Sequence, residues 1–239
     1  MTTPTPPFAA LDDILARTRH LLLDFDGVVC RLYAAHPWPL AADRVRSLLS
    51  EHDVPLPEAI TATTDPLAVL SYAATISLEL AEQADAELTD CELGAVSSAE
   101  PIGYVHDVIA SARESSRTAT VISTCSTRAV NAYLERTNLA DPAGLAVART
   151  PHDPASTSVA NIIGRATGLL DTDANTCAVV ATSADVLDAA LKTGAAVIAY
   201  ASAPAAPAHA HAHAHAHAGA VVTSLADLAL RLRGRPSRN

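Results

Sequence analysis

Apolar residues recur along this chain in two rhythms, and its elements change where one rhythm gives way to the other. Leu21, Leu22 and Leu23 form an unbroken apolar run that ends in Asp24, Phe25, Asp26 and Gly27. A short apolar run closed by a glycine turn predicts a strand buried on both faces, with the two acids at its C-terminal end. Residues 40–52, 65–75 and 77–93 instead carry apolar positions three and four apart, which predicts helices. Asp65 and Pro66 are placed as cap and first helical residue of the second of these. No strand pattern interrupts the stretch from about residue 33 to 100, so a helical insertion is expected after the first strand.

Beyond Pro101 strand and helix patterns alternate. Helices are expected over 104–114, 128–136, 159–168, 184–192 and 225–232, and strands over 118–122, 145–148, 177–180, 195–199 and 221–222. A helix over 11–20 opens on Asp12 and Asp13. This alternation predicts an α/β fold, a Rossmann-like, doubly wound and mainly parallel sheet covered by helices. The expected division is a core of residues 11–32 and 101–235, a small α-helical cap over 33–100, a disordered N-terminus over 1–10 and a low-complexity loop over 203–219. Ligands of such sheets sit beyond the strand C-termini, where Asp24 and Asp26 fall.

Charge and cysteine usage narrow the function classes. Sixteen Lys and Arg against 26 Asp and Glu give a formal net charge of −10, which repels polyanions, and no basic stripe is present for nucleic acid. A small-molecule substrate is the expected partner, with neither nucleic acid nor membrane. Cys30, Cys91, Cys125 and Cys177 are widely spaced without a CxxC pair, so they read as reduced thiols. No secretory leader pattern opens the chain and no apolar run approaches the ~18 residues of a membrane span. The expected location is the cytoplasm. Lys192 is the only lysine.

Two carboxylates flanking one residue at a strand end can divide nucleophilic and acid/base work, or bind Mg²⁺. The segment LLLDFDGVV resembles the first motif of the haloacid-dehalogenase-like hydrolases, and the resemblance extends over nearly the whole chain. It implies that Asp24 attacks phosphorus and Asp26 protonates the leaving group, and the second Asp points to the phosphatase branch. Ser123, at the end of Ala119-Thr120-Val121-Ile122, matches the family's second motif and implies a phosphoryl contact, with Gly27, Thr124 and Arg149 as further substrate contacts. The layout is similar to phosphoglycolate-phosphatase-like members with a helical cap.

The third and fourth motifs depart from the family pattern. Ser158 stands where the family has a lysine, leaving Arg149 or Arg165 to supply positive charge, although a guanidinium does not replace an ammonium conservatively. Thr182 stands where the fourth motif has its first acid, so the metal set would be Asp24, Asp26 and Asp185, with Asp188 as substitute. Threonine is a weak ligand for a hard dication, so Mg²⁺ is expected to be held weakly or not at all. The resemblance thus implies a phosphatase-type hydrolase of a small phosphorylated metabolite, working through an aspartyl intermediate with weakened or altered activity. Two alternatives stay open: the same Asp pair acting on a non-phosphorylated substrate, and a non-catalytic binding protein.

His209, His211, His213, His215 and His217 alternate with alanines after a Pro/Ala segment. The tract reads as low-complexity expansion in a surface loop, while its spacing would also align imidazoles for Zn²⁺, Ni²⁺ or Cu²⁺.

Overall fold

A computed structural model describes residues 9–34, 38–151, 157–201 and 219–234. The N-terminal segment 1–8 and the histidine tract lie outside the described residues. Helix α1 (Ala9–Arg17) leads into β1 (His20–Asp24), a single helical turn (Phe25–Val29) and the two-residue strand β2 (Cys30–Arg31). Four helices follow: α2 (Trp38–Glu51), α3 (Glu58–Ala62), α4 (Pro66–Ile76) and α5 (Leu78–Ser98). The chain re-enters through β3 (Glu100–Pro101), which pairs antiparallel with β2. It then alternates through α6 (Val105–Glu114), β4 (Thr118–Ser126), α7 (Thr127–Arg136), α8 (Ala140–Ala143), β5 (Leu145–Arg149) and α9 (Val159–Leu169). The last elements are β6 (Cys177–Ala181), α10 (Ala184–Thr193), β7 (Ala196–Tyr200), β8 (Ala220–Val222) and α11 (Leu225–Gly234).

Six strands form one parallel sheet in the order β5-β4-β1-β6-β7-β8. Strand β1 is central because its three leucines have no exposed face to offer, each being fully buried. Their alternation divides them between two cores: Leu21 and Leu23 join the cluster containing Leu11, Ile109, Tyr133 and Leu228, whereas Leu22 joins Ile162, Ile163 and Leu187. Helices α1, α6, α7 and α11 therefore cover one face and α9 and α10 the other. The chain runs outward from β1 through β4 to β5, then crosses back to β6. That reversal of direction leaves a crevice at the C-terminal end of β1.

The inserted helices have a core of their own, built from Ala42, Val45, Leu49, Val69, Ala73, Ala84 and Leu88. Their ends are capped as the sequence suggests: Asp65 accepts from the N–H of Leu67 at 2.9 Å and Ser77 from that of Leu80 at 3.1 Å. Each helix and strand expected from the periodicity is present. The β2/β3 ribbon and the short helices α3 and α8 were not expected, being too short to carry a periodic signal. Strand β4 also runs four residues past its apolar stretch, through a register irregularity between Ile122 and Ser126. Small polar residues can follow this path because a bulge, unlike a regular strand, does not require alternation.

Replacing Leu22 with Ala should cost about 2–5 kcal/mol in denaturant unfolding, since neighbours on both flanking strands prevent the site from collapsing. A loss below about 1 kcal/mol would contradict its central place.

Candidate active site

The end of β1 is pinned before it becomes a site. The ring of Phe25 is buried edge-on against Tyr133 of α7, with centroids 5.2 Å apart. With Phe25 directed into the core, Asp24 and Asp26 on either side are directed away from it, toward the crevice. Asp26 and Gly27 then leave helical geometry, at φ −84°, ψ 124° and φ 95°, ψ −20°. Gly27 has two reasons to be glycine. Its left-handed φ disfavours a side chain, and a Cβ built on it would lie 2.3 Å from Oγ1 of Thr182. The loop carrying Thr182 therefore packs directly on the turn at Gly27, with the threonine at the point of contact.

Asp26 is solvent-accessible, and its Oδ1 accepts from the backbone N–H of Leu32 at 2.9 Å. Burial raises its carboxyl above the ordinary range, opposed by the N–H groups of Leu32 and Tyr33. Asp24 is half-buried, and its carboxyl is raised well above the ordinary range, first by burial and then by the charge of Asp26, with the N–H of Phe25 pulling it back. Asp24 lines a cavity of about 30 Å³ with Ile122, Ser123, Thr124, Val159, Ile162 and Val186. That volume holds about one or two waters. Ser123 is buried and its Oγ accepts from the N–H of Cys125 at 3.0 Å, which orients the hydroxyl within its loop. Val159 and Val186 belong to the first turns of α9 and α10, so two helix N-termini open toward this space and favour negative charge there.

The structure thus brings together Asp24, Asp26, Gly27, Ser123 and Thr124, and it separates Arg149 from them. Arg149 is 1% exposed and ion-paired with Asp85 and Glu92 of α5, the Glu92 contact being 2.7 Å. Its Nε donates to the carbonyl of Thr124 at 3.0 Å. Burial lowers this guanidinium to about 10 and raises Glu92 to about 7, the latter opposed by hydrogen bonds from Ser126. Arg149 does not line the Asp24 cavity. It borders instead a space of about 130 Å³ under α4 and α5, with Leu70, Ala74, Leu78, Glu82 and Asp85. Sequence reasoning weighed Arg149 as a phosphate contact because it counted charges without locating the two acids of α5 that claim it. Arg165 is likewise occupied, donating to the carbonyl of Ala148 at 3.0 Å.

Ser158, at the lysine position, is an exposed residue preceding α9, and among the described residues no Lys or Arg lines the Asp24 cavity. Asp185 is exposed in the first turn of α10. Among the described residues no three His, Cys, Asp or Glu side chains converge as a metal set. Asp185 is therefore not drawn to the Asp24–Asp26 pair, because Thr182 brings its loop to Gly27 through a neutral hydroxyl.

Gly27→Ala should destabilise the fold by about 1–3 kcal/mol, from positive φ and overpacking together. Adding Thr182→Ala should recover part of that loss in thermal unfolding, because it relieves the contact and leaves the backbone strain. Full additivity of the two changes would show that they do not touch.

No family model matches the chain, and no curated protein is similar to it. Solved structures are. A predicted phosphatase from Clostridium acetobutylicum superposes with a TM-score of 0.65 at 16% identity, over 90% of this chain and 98% of that one. CbbY from Rhodobacter sphaeroides, in complex with phosphate, gives 0.61 at 16% identity, covering 88% and 96%. The L-2-haloacid dehalogenase from Xanthobacter autotrophicus, with chloropropionic acid covalently bound, gives 0.56 at 12% identity, covering 91% and 99%. With its central β1, its DxDG turn and these end-to-end likenesses, the chain has the fold of the haloacid-dehalogenase-like superfamily.

Proposed function

We propose that this chain is a hydrolase of a small phosphate monoester, working slowly through an aspartyl intermediate on Asp24. The observation that carries this reading is the arrangement of one turn: Asp24 faces the Ser123–Thr124 loop, while Asp26 beside it is fixed by the Leu32 N–H. A carboxylate oxygen of Asp24 attacks phosphorus, the bond to the leaving oxygen breaks, and Asp26 supplies that oxygen with its proton. Water then attacks the aspartyl phosphate, giving its proton to Asp26, and returns Asp24 as carboxylate. Ser123 and Thr124 offer hydroxyl groups to the phosphoryl oxygens, and the N-termini of α9 and α10 supply positive potential. The inserted helices, which follow the Asp24–Asp26 turn in the chain and have a core of their own, would serve as the cap.

The fold family implies Mg²⁺, and the residues present do not fit it. Thr182 replaces a carboxylate, it abuts Gly27, and among the described residues no third acid joins the pair. No step is assigned to a metal. Loss of a charged element of this kind typically lowers a rate by ~10²–10³, which sets the expected turnover low.

A second reading is favoured by a specific observation. The cavity beside Asp24 is walled by Ile122, Val159, Ile162 and Val186, and among the described residues no cationic side chain lines it. A neutral or monoanionic substrate, attacked at carbon, would meet less repulsion there than a phosphate dianion.

Hydrolysis of an aryl phosphate and a panel of sugar phosphates separates these readings. Slow turnover, insensitive to Mg²⁺ and abolished in Asp24→Asn, is expected. Asp24-dependent turnover confined to haloacids or carboxylic esters would transfer the assignment to the second reading. No turnover on either panel would remove both and leave a binding protein.

The pH dependence has a definite sign. Asp24 attacks only when ionised and its pKa is raised, so the rate should rise with pH through a value above the ordinary carboxylate range. The same shift means that the folded state holds this proton more tightly than the unfolded chain. Stability from Asp24 is complete at low pH and declines as pH rises through the folded value. Asp24→Asn should therefore melt higher than wild type at neutral pH, and a lower melting temperature would contradict the burial argument.

A further inference from the structure

The four residues of the loop that faces Asp24, from Ser123 to Ser126, are gripped from the side of the helical insertion at three points. Glu92 of α5, fully buried, accepts from the N–H of Ser126 at 2.8 Å through Oε2 while its Oε1 pairs with Arg149. Arg149, itself tied to Asp85 of α5, donates to the carbonyl of Thr124 at 3.0 Å. Tyr33, on the connection leading into the insertion, places its hydroxyl 3.4 Å from Sγ of Cys125. Tyr33 directly follows Leu32, whose N–H bonds to Asp26 at 2.9 Å, so the same short stretch of chain meets both the Asp26 turn and the facing loop. Within the loop, the N–H of Cys125 orients the Ser123 hydroxyl.

These contacts serve a segment that cannot hold itself. Between Ile122 and Ser126 the register of β4 against β5 is interrupted, so the ladder does not specify the path of Ser123 and Thr124. An irregular backbone needs its polar groups satisfied from elsewhere, and here the partners come from α5 and from Arg149, which α5 holds in place.

We propose that Glu92, Arg149 and Tyr33 are positioning residues: docking of the insertion through the Arg149–Asp85–Glu92 cluster sets the conformation of Ser123–Ser126 and so completes the surface facing Asp24. None of the three touches the cavity that Asp24 lines. Glu92 and Arg149 act through the backbone of the loop, and Tyr33 acts through the thiol of Cys125. The effect on hydrolysis rests on the reading of Asp24 as nucleophile, whereas the effect on loop geometry does not.

Hydrogen exchange on the full chain, resolved to the 122–127 segment, tests the geometry directly. In Glu92→Ala the amides of this segment should exchange at least tenfold faster, with those of β1 and β6 unchanged. Glu92→Gln keeps an acceptor for Ser126 and should restore most of the protection, while Tyr33→Phe should show a smaller local change. Wild-type protection of the segment in Glu92→Ala overturns the proposal, as does acceleration spread evenly over the whole sheet, which would mark a purely structural role. Should Glu92→Ala not fold, Tyr33→Phe and Glu92→Gln decide by the same local criterion. With an aryl phosphate, kcat should fall by up to about 10²-fold in Glu92→Ala at nearly constant KM, and recover in Glu92→Gln. A change in KM alone overturns the positioning role. Absence of turnover in the wild type instead counts against the hydrolase reading, and the exchange result then settles the proposal by itself.

Discussion

Two carboxylates at the end of a buried strand must be accommodated without a cation, and this constraint shapes everything around them. A lone buried carboxylate is costly, and proteins answer it with an opposite charge, with hydrogen bonds or with a proton. The first answer is missing here: the lysine position holds Ser158, the acid position that would call in a dication holds Thr182, and Arg149 is engaged with Asp85 and Glu92. Asp26 takes the second, through the amide of Leu32. For Asp24, burial and the neighbouring charge of Asp26 raise the carboxyl well above the usual range, which favours the third. The glycine turn, the helix N-termini and the narrow apolar walls are what remain available to tune the reactivity of that group.

The one well-buried guanidinium beside this site is spent on architecture. Buried ion pairs repay their desolvation poorly, so the Arg149 cluster is weak evidence for stability, but breaking it on one side leaves an uncompensated charge and is expensive. Such a cluster acts as a registration device. It admits one docking of α5 against β4 and β5, and that docking carries hydrogen bonds to Thr124 and Ser126. On this proposal the insertion is more than a cover over the crevice, because it supplies hydrogen-bond partners to the loop that faces Asp24.

The elements were legible in the sequence because their signals are local. Three leucines before DFDG specify a strand with no exposed face, and period-3.6 runs over 40–93 specify helices whose apolar faces later meet in a separate core. The placing of Asp24, Asp26 and Ser123 around one crevice was equally legible, since each lies where an apolar stretch stops. The absence of a lysine at 158 and of an acid at 182 needed only reading, and the geometry gives the second a physical consequence at Gly27.

What the sequence by itself determined was therefore the order and type of the longer elements, the sheet's parallel character and the residues at strand ends. Each follows from the side-chain period and from turn chemistry, which act over a few neighbours. The partners of charges were decided only by the tertiary structure. Arg149 lies 57 residues from Glu92 and 25 from Thr124 along the chain, and no spacing rule links them until α5 folds back over β5. The same holds for Asp185, the nearest acid along the chain to the position of Thr182, which stands exposed on its helix in space. Long-range pairing of polar groups depends on how rigid elements dock, and docking is set by the sum of many apolar contacts, none of which names the charge that it will bring into reach.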